Sequence, residues 1–315
     1  MGSEPHAQRT IARPLRDEAD FWRVRNLLIK TVPITPVGFN WDVRRWDGKR
    51  FYAATGAWQP GWETRVHLWE TEDGQLAGAV HPEGHGDAHL QVHPDYRHLE
   101  EAMIVWAEEH LATASQASTR HQLDIFVYEY DAHRQRLLSE RGYEKTAYGG
   151  VIRHLRLGQQ LLPPPVPAAG YTLRSTRPDD MADCQRIADL LNAAFGRDFH
   201  NAAEYHTFTR LAPCFVRELD LVAEAPDSTL AAYIGVCTDE ANRRGIFEPV
   251  CTHPDHRRQG LAQTLMLEGL HRLRARGASD VVVETGDMIP ANRLYDSLGF
   301  TETYTGHVWR KAIGV

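Results

Sequence analysis

The feature that most constrains the fold of this chain is an internal repeat. The triplet His93-Pro94-Asp95 recurs about 160 residues later as His253-Pro254-Asp255, and each copy precedes a helix-like run. Further on, Gly142-Tyr143 corresponds to Gly299-Phe300 at a nearly equal separation. Two signatures that recur in the same order indicate a tandem duplication. We therefore expect two domains built on the same plan.

A proline-rich stretch separates the two copies. Residues 158–170 read GQQLLPPPVPAAG, and consecutive prolines cannot sustain a helix or a central strand. The chain has 315 residues, which suffices for two domains of about 150 residues each. We predict a first domain over 1–157, a linker over 158–170 and a second domain over 171–315.

Composition excludes several classes of function. The net charge of −7 argues against a general nucleic-acid binder, whose surface would be basic. No stretch approaches the roughly 18 apolar residues that a membrane span needs, and the first ten residues lack the apolar core of a secretory signal. The four cysteines lie far apart, without metal-ligand spacing. These observations predict a cytoplasmic protein with no nucleic-acid or membrane partner.

The second half of the chain alternates strands and helices. Helical patterns run from Pro178 to Gly196, from Gln259 to Arg276 and from Pro290 to Leu298. Strand patterns occupy 171–177, 219–224, 230–238, 246–252 and 280–285, with two last strands up to Arg310. Adjacent hairpins imply antiparallel pairs within this alternation. We predict an α/β fold (α+β, mixed sheet) in which each domain is a mostly antiparallel mixed sheet flanked by helices.

One strand–turn–helix junction in the second half has the composition of an anion site. Gly260 and the small Ala262 let a ligand approach the backbone closely. The first turn of a helix also offers free N–H groups and the positive end of the helix dipole. Arg257 and Arg258 add positive charge. A phosphate or pyrophosphate suits such a turn, whereas a plain helix start with solvated arginines is the alternative.

The segments Val250–Ala262 and Asn292–Phe300 resemble the GNAT superfamily of acyl-CoA-dependent N-acetyltransferases. Arg257-x-x-Gly260-x-Ala262 is similar to the pyrophosphate-binding signature of this family, and the second segment is similar to its C-terminal signature. The resemblance is strong over about 225–312, extends over 171–312, and is weak over 1–157. Tandem members such as mycothiol synthase share the two-repeat layout, although nothing in the sequence points to that activity.

The resemblance implies where the co-substrate acetyl-CoA would bind. Its diphosphate would lie on a turn of backbone N–H groups, and its pantetheine arm would run along the preceding strand. Pro249 supports this, because a proline inside a strand marks an edge or a bulge, and in this family the strand separates from its neighbour. Asn292 would contact the arm or only cap its helix; many members carry another Asn where this chain has Met288. The expected cofactor contacts are Val250, Cys251, Thr252, Arg257, Arg258, Gln259, Gly260, Leu261, Ala262, Gln263 and Asn292.

The resemblance also implies a proton donor, whereas the base is open. Tyr295 is the family's usual proton donor to the leaving thiolate, and a phenol with a reference pKa of about 10 suits that role. A backbone N–H near Thr252 would hold the oxyanion. We favour Glu248 as the base because it shares a strand and, by the period of two, a face with Thr252. Glu284 on the next strand and His253 are the alternatives.

The first repeat lacks these features. At the positions of Gly260, Leu261 and Tyr295 it has Glu100, Glu101 and Leu138. Carboxylates repel a pyrophosphate and leucine has no proton to give, so we predict that the first domain has no CoA site. We also predict no metal site, because the regularly spaced histidines of the first half lie across a turn, at His81, His85, His89 and His93.

The leading hypothesis is an N-acetyltransferase that moves the acetyl group of acetyl-CoA to a primary amine of a small molecule by direct attack. A homodimer is compatible with it. The degenerate first half suggests one alternative, a non-catalytic acyl-CoA-binding sensor or interaction protein. The other alternative is a peptide or protein N-acetyltransferase, which needs an open groove. The sequence does not identify the acceptor.

Overall fold

The structure is a computed structural model that describes residues 9–55, 61–115, 118–158 and 161–314. Parts of the three predicted segments lie outside the described residues: 1–8, 56–60 and 116–117 of the first domain, 159–160 of the linker and 315 of the second domain.

The described residues form two compact units, and each unit takes segments from both halves of the chain. The first unit lies within 1–41, 59–149 and 304–315, and the second within 42–58 and 150–303. The predicted division uses continuous segments and so differs from these units. The first unit takes its last strand from the second half, and the second unit takes a helix and a strand from the first half.

The first unit is built on a mixed sheet. Its sheet order is β1-β2-β3-β4-β6, followed by part 304–313 of β13 and part 144–149 of β7, and β5 pairs with β6. The β4–β6 pair is parallel, whereas β1–β2, β2–β3, β3–β4 and β6–β13 are antiparallel. The elements are β1 (Thr10–Pro14), α1 (Glu18–Thr31), β2 (His67–Thr71), β3 (Leu76–His81), β4 (Asp87–Val92), α3 (Glu100–His110), β5 (Thr113–Ser115), β6 (Ser118–Tyr128), α4 (Ala132–Glu140), β7 (Glu144–Arg156, in part) and β13 (Glu302–Ile313, in part).

The second unit repeats this plan. Its sheet order is part 150–156 of β7, then β12-β11-β10-β9-β8. The β11–β12 pair is parallel, and the other described pairs are antiparallel. The further elements are α2 (Val43–Phe51), β8 (Thr172–Ser175), α5 (Met181–Phe195), α6 (Ala202–Leu211), β9 (Leu221–Glu224), β10 (Leu230–Asp239), β11 (Arg244–Thr252), α7 (Leu261–Ala275), β12 (Asp280–Thr285) and α8 (Ile289–Ser297). Each unit is thus a mostly antiparallel mixed sheet with helices, which confirms the predicted fold class.

Strand periodicity places helices on both faces of the second sheet. Ile234 of β10 belongs to the same apolar cluster as Leu265 of α7. Its neighbour Tyr233 belongs instead to the cluster that contains Ile187 of α5. Successive strand residues point to opposite faces, so α7 covers one face and α5 the other.

Helix α5 forms where its sequence signals predict. The Asp180 side chain accepts the N–H of Ala182 at the start of the helix, and Gly196 ends it in the left-handed conformation with φ of 63°. A side-chain oxygen at the N-cap and a glycine after the last turn satisfy backbone groups that the helix leaves unpaired. The same glycine preference ends α7, which Gly277 follows with φ of +85°.

The chain after Gly299 differs from the expectation of two strands up to Arg310. The structure has one strand here, β13, from Glu302 to Ile313. Gly306 lies inside this strand and forms no turn. A Cβ atom at this position would come within 2.5 Å of the Phe126 ring. The glycine therefore makes room for a ring on the neighbouring strand.

Candidate active site

Strands β11 and β12 separate halfway along their length. Their parallel pairing runs from Arg244 opposite Asp280 to Phe247 opposite Val283 and ends there. β12 continues to Thr285 along β7, whereas β11 continues to Thr252 along β10. A gap therefore opens between the carboxyl ends of the two strands.

A bulge in β11 marks the beginning of this gap. Val236 of β10 pairs with Phe247, but Ile234 pairs with Val250, so Glu248 and Pro249 both stand opposite Gly235. A bulge bends the strand and interrupts its pairing. Gly235 is needed here, because a Cβ atom would lie 2.7 Å from the Glu248 carbonyl oxygen. The prediction that Pro249 marks an edge or a bulge is confirmed.

Beyond the bulge, β11 presents free backbone groups to the gap. The N–H of His253 donates to the Ala231 carbonyl at 2.8 Å, and Thr252 stands opposite Ala232. In an antiparallel ladder this alternation directs the N–H and C=O of Cys251 towards β10. The N–H and C=O groups of Val250 and Thr252 therefore point into the gap, where β12 no longer pairs with β11. An extended ligand can form hydrogen bonds with this strand edge.

The strand leads to an open helix start. Gly260 precedes α7 in the left-handed conformation with φ of 73°, and no side chain of the described residues caps this helix. A Cβ atom at Gly260 would meet no atom of these residues within 4 Å. The N–H groups of the first helical turn have no partner within the helix. The Arg257 side chain donates to the Ala194 carbonyl at 3.2 Å, and Arg258 is exposed. The turn fits an anion such as a diphosphate.

Tyr295 lies on α8, which follows β12. It is buried in the apolar cluster against which Val250 of β11 packs. Burial raises the pKa of Tyr295 to about 12, although the charge of Arg153 works in the opposite direction. The phenol is therefore protonated at neutral pH and has a proton to donate. The side chain of Gln263 on α7 donates to the Ser297 hydroxyl of α8 at 3.2 Å, which joins the two helices.

Asn292 is engaged with its own loop. Its side-chain NH₂ group donates to the carbonyl oxygens of Gly286 at 3.0 Å and Met288 at 3.1 Å. It thus holds the segment between β12 and α8. A contact of Asn292 with a pantetheine arm stays a prediction.

The three candidate bases have different surroundings. Glu248 lies at the bulge with 46% of its side chain exposed. Glu284 lies on β12 beyond the end of its pairing with β11, and its carboxylate is 3.2 Å from an Arg45 nitrogen. The His253 ring nitrogen instead accepts the N–H of Asp255 at 3.3 Å. His253 therefore stabilises its own turn, and the two glutamates flank the gap.

Helix α2 was not predicted from the sequence. It belongs to the second unit, although it precedes the core strands of the first repeat. Asp42 caps this helix by accepting the N–H of Arg45 at 3.0 Å. Burial and the nearby charge of Glu248 raise the pKa of Asp42 to about 6. Arg44 and Arg45 reach Glu248 and Glu284 respectively. The only local signal was that of an ordinary helix start, because Asp is a common N-cap.

In the first unit, ion pairs occupy the turn that corresponds to the start of α7. Glu100 is fully buried and accepts hydrogen bonds from Arg97 at 2.6 Å and Arg134 at 2.9 Å. Burial alone would raise the pKa of Glu100, but these two guanidinium groups lower it to about 2. Arg97 also donates to Asp131 at 2.6 Å. Arg97, the counterpart of Arg257, is thus held by internal carboxylates.

The described part of the chain shows neither a metal-ligand cluster nor a membrane-spanning helix. Within 9–55, 61–115, 118–158 and 161–314, no three or more histidine, cysteine, aspartate or glutamate side chains are placed to hold a metal ion. No helix in the same part of the chain is long and apolar enough to cross a membrane.

Residues 184–300 match the family model of the acetyltransferase (GNAT) family. This match covers β11, the α7 turn and α8, which carry the geometry described above. No curated protein matches the sequence significantly.

Solved structures extend the likeness to the fold of the whole chain. A tandem GNAT protein from the clavulanic acid biosynthesis pathway is 18% identical with a TM-score of 0.67, over 98% of this chain and 99% of that one. A GCN5-related N-acetyltransferase from Sphaerobacter thermophilus is 20% identical with a TM-score of 0.64, over 97% and 96%. A glucosamine N-acetyltransferase region of a fungal multi-domain β-N-acetylglucosaminidase is 14% identical with a TM-score of 0.54, over 98% and 38%. The chain has the tandem GNAT fold.

Proposed function

We propose that the protein is an N-acetyltransferase that moves the acetyl group of acetyl-CoA to a primary amine of a small molecule. The observation that carries the proposal is the free backbone edge of β11, which leads from the gap to the uncapped start of α7. The diphosphate would accept hydrogen bonds from the N–H groups of 258–263, beside Arg257. The pantetheine arm would extend the sheet along Val250–Thr252.

The proposed chemistry needs an oxyanion donor, a base and an acid. A backbone N–H near Thr252 would stabilise the oxyanion of the attacked thioester, as preorganised donors do in acyl transfer. Glu248 at the bulge would accept a proton from the amine, directly or through water. Tyr295 would then protonate the leaving thiolate. The phenol is protonated at neutral pH, so it has a proton to give when the thiolate forms.

We also propose that the protein works in the cytoplasm. The four cysteines, Cys184, Cys214, Cys237 and Cys251, are buried free thiols. Free thiols are typical of a reducing compartment.

The decisive experiment compares the parent protein with Tyr295→Phe. Titration calorimetry with acetyl-CoA measures binding, and thiol release measures turnover on 1,4-diaminobutane, glucosamine, glycinamide and phenethylamine. The variant should bind acetyl-CoA as the parent does, while kcat falls by about 10²–10⁴-fold, the usual contribution of a general acid. Tyr148→Phe, which changes an exposed ring, serves as the control and should leave both unchanged.

Other outcomes distinguish the alternatives. Binding without turnover of any amine or peptide would favour an acyl-CoA sensor. Turnover of a peptide library but not of the free amines would favour a peptide N-acetyltransferase. A folded parent protein that binds no acetyl-CoA would overturn the proposal.

A further inference from the structure

Helix α2 is anchored firmly in the second unit. The guanidinium carbon of Arg44 lies 4.5 Å from the centre of the Phe208 ring and 5.8 Å from that of Tyr52. A guanidinium group stacked on aromatic rings gains a cation–π attraction that is stronger away from water. After the helix, the Thr207 hydroxyl donates to the Ala54 carbonyl at 3.2 Å. These contacts hold α2 against α6.

From this position Arg44 contacts Glu248 at two points. Its Nε donates to the Glu248 carbonyl oxygen at 3.4 Å, and its Nη2 lies 3.9 Å from the Glu248 carboxylate oxygen Oε1. One planar guanidinium group therefore contacts both the backbone of the bulge and the side chain that projects from it. The single ammonium group of a lysine cannot reproduce this two-point geometry.

The charge of Arg44 acts in a buried environment. Only 8% of the residue is exposed. Burial disfavours its charged form, but the carboxylate of Glu248 leads the interactions that raise the pKa of Arg44 above its usual value. The Glu248 side chain is 46% exposed, so water partly screens its attraction to Arg44. Arg44 therefore stays charged and opposite Glu248.

Other ionisable groups also face this pair. Asp42 at the start of α2 interacts with both members, and Asp220 interacts with Arg44. The groups that raise the pKa of Arg44, besides Glu248, are Cys237, Cys214 and Tyr52. Among these neighbours Arg44 is the cation that contacts both the backbone and the carboxylate of Glu248.

We propose that Arg44 is a positioning residue for Glu248: it fixes the bulge carbonyl and the carboxylate beside the gap between β11 and β12, so that the base is in place when the amine arrives. This inference rests on the proposed function and adds to it a residue from the first half of the chain. It makes α2 part of the active site of the second unit.

The kinetic test uses the full-length protein, acetyl-CoA and the best acceptor among the four amines named above. In Arg44→Met, kcat should fall by about 10–100-fold, because small displacements of a reacting group are costly. In a Glu248→Gln background, Arg44→Met should lower kcat no further, because Arg44 acts through that carboxylate. The Kd of acetyl-CoA should not change.

Two further variants separate positioning from charge and from folding. Arg44→Lys should recover kcat only in part, because it keeps the charge and loses the two-point contact. Lys49→Met removes a positive charge from the same helix and should match the parent. If Arg45→Met, not Arg44→Met, lowers kcat, or if Arg44→Met lowers kcat equally in the Glu248→Gln background, the proposal is wrong.

A readout without turnover keeps this inference distinct from the proposed function. Carbodiimide coupling of glycine ethyl ester at one fixed pH, followed by peptide mass spectrometry, reports how readily the Glu248 carboxylate reacts. In Arg44→Met the coupling to Glu248 should be faster than in the parent, because the guanidinium group no longer holds the carboxylate. An unchanged coupling rate in an active enzyme would overturn the role of Arg44 alone. A parent protein without turnover would instead overturn the proposed function, whatever the labelling.

Discussion

The carboxylate of Asp220 is buried and accepts hydrogen bonds from three hydroxyl groups. Thr176 donates at 2.5 Å, Tyr233 at 2.7 Å, and Tyr205 also donates. Burial raises the pKa of Asp220 to about 6, although the hydrogen bonds lower it. The folded protein therefore holds this proton at pH values at which the unfolded chain, with an ordinary Asp pKa near 4, has released it.

This difference predicts how stability depends on pH. Because the folded-state pKa is raised, the contribution of Asp220 is fully present below about pH 4 and is lost as the pH rises through about 6. Two pK units correspond to about 3 kcal/mol. In Asp220→Asn the free energy of unfolding in urea should fall less between pH 4.5 and 7.5 than in the parent, by about 2 kcal/mol, because this interval covers only about 1.5 of those units.

The control for this measurement is Asp189→Asn, which changes an exposed carboxylate on α5. It should keep the parent's pH dependence. The same slope in Asp220→Asn as in the parent would contradict the raised pKa. A uniform loss of stability at every pH would report only the altered hydrogen bonds.

Some residues of the candidate site could be predicted from the sequence, and others could not. Gly260 and Tyr295 lie in short local signatures, so they could be predicted from neighbouring residues. Arg44 could not, because it contacts Glu248 across 204 positions of the chain. Its role depends on the packing of α2 against α6, which no local pattern encodes.

At the scale of elements, helix α7 has a left-handed glycine at each end. Gly260 precedes the helix with φ of +73°, and Gly277 follows it with φ of +85°. A Cβ atom at either position would meet no protein atom within 4 Å. An alanine at either end therefore carries a similar conformational cost, roughly 1–2 kcal/mol, without a steric clash inside the protein.

The two glycines make a matched pair for testing the anion site. Gly260→Ala should weaken acetyl-CoA binding at least tenfold, because the added methyl group occupies the approach to the first-turn amides. Gly277→Ala should lower the thermal midpoint to a similar extent but leave the Kd of acetyl-CoA unchanged. Calorimetric titration and thermal unfolding of both variants provide the measurement. Equal losses of affinity would show that strain, not ligand access, is responsible.

The helices and strands were largely predictable from the sequence, but the separation of β11 from β12 was not. Apolar periodicity and terminal glycines predicted α5, α7 and the strands β8 to β12 within a few residues. They predicted two strands where β13 is one, and they did not predict α6. The separation of β11 from β12 has one local sign, Pro249, and was otherwise expected only from the family resemblance. Strand pairing joins residues that are far apart in sequence. A local pattern therefore cannot predict the residue at which two strands stop pairing.

At the scale of the whole molecule, the sequence repeat and the compact units do not coincide. The repeat predicted continuous domains, but the first unit's sheet includes residues 304–313 and the second unit includes 150–156 and α2. Periodicity identifies a strand without identifying the sheet that it joins. For this reason the isolated segment 171–315 is an unsuitable sample for binding experiments, because it lacks both α2 and β7.

Removal of residues 304–315 tests this arrangement. The first unit would lose the strand that pairs with β6 from Gly306 opposite Tyr128 to Ile313 opposite His121. We expect limited proteolysis to cut the first unit sooner than the second, because β6 loses eight cross-strand pairs. Truncation after Ile313 is the control. Equal protection of both truncated proteins would show that the first unit folds without this strand.

The chain crosses from one compact unit to the other near residues 149 and 303. A chimera that joins the first half of this protein to the second half of a homologue at the proline-rich segment would therefore leave each sheet with a strand from a foreign parent. To keep each sheet from one parent, a chimera has to exchange residues 304–313 together with the first unit and residues 150–156 together with the second. Gene-fusion and domain-shuffling designs for proteins of this kind should place their junctions accordingly.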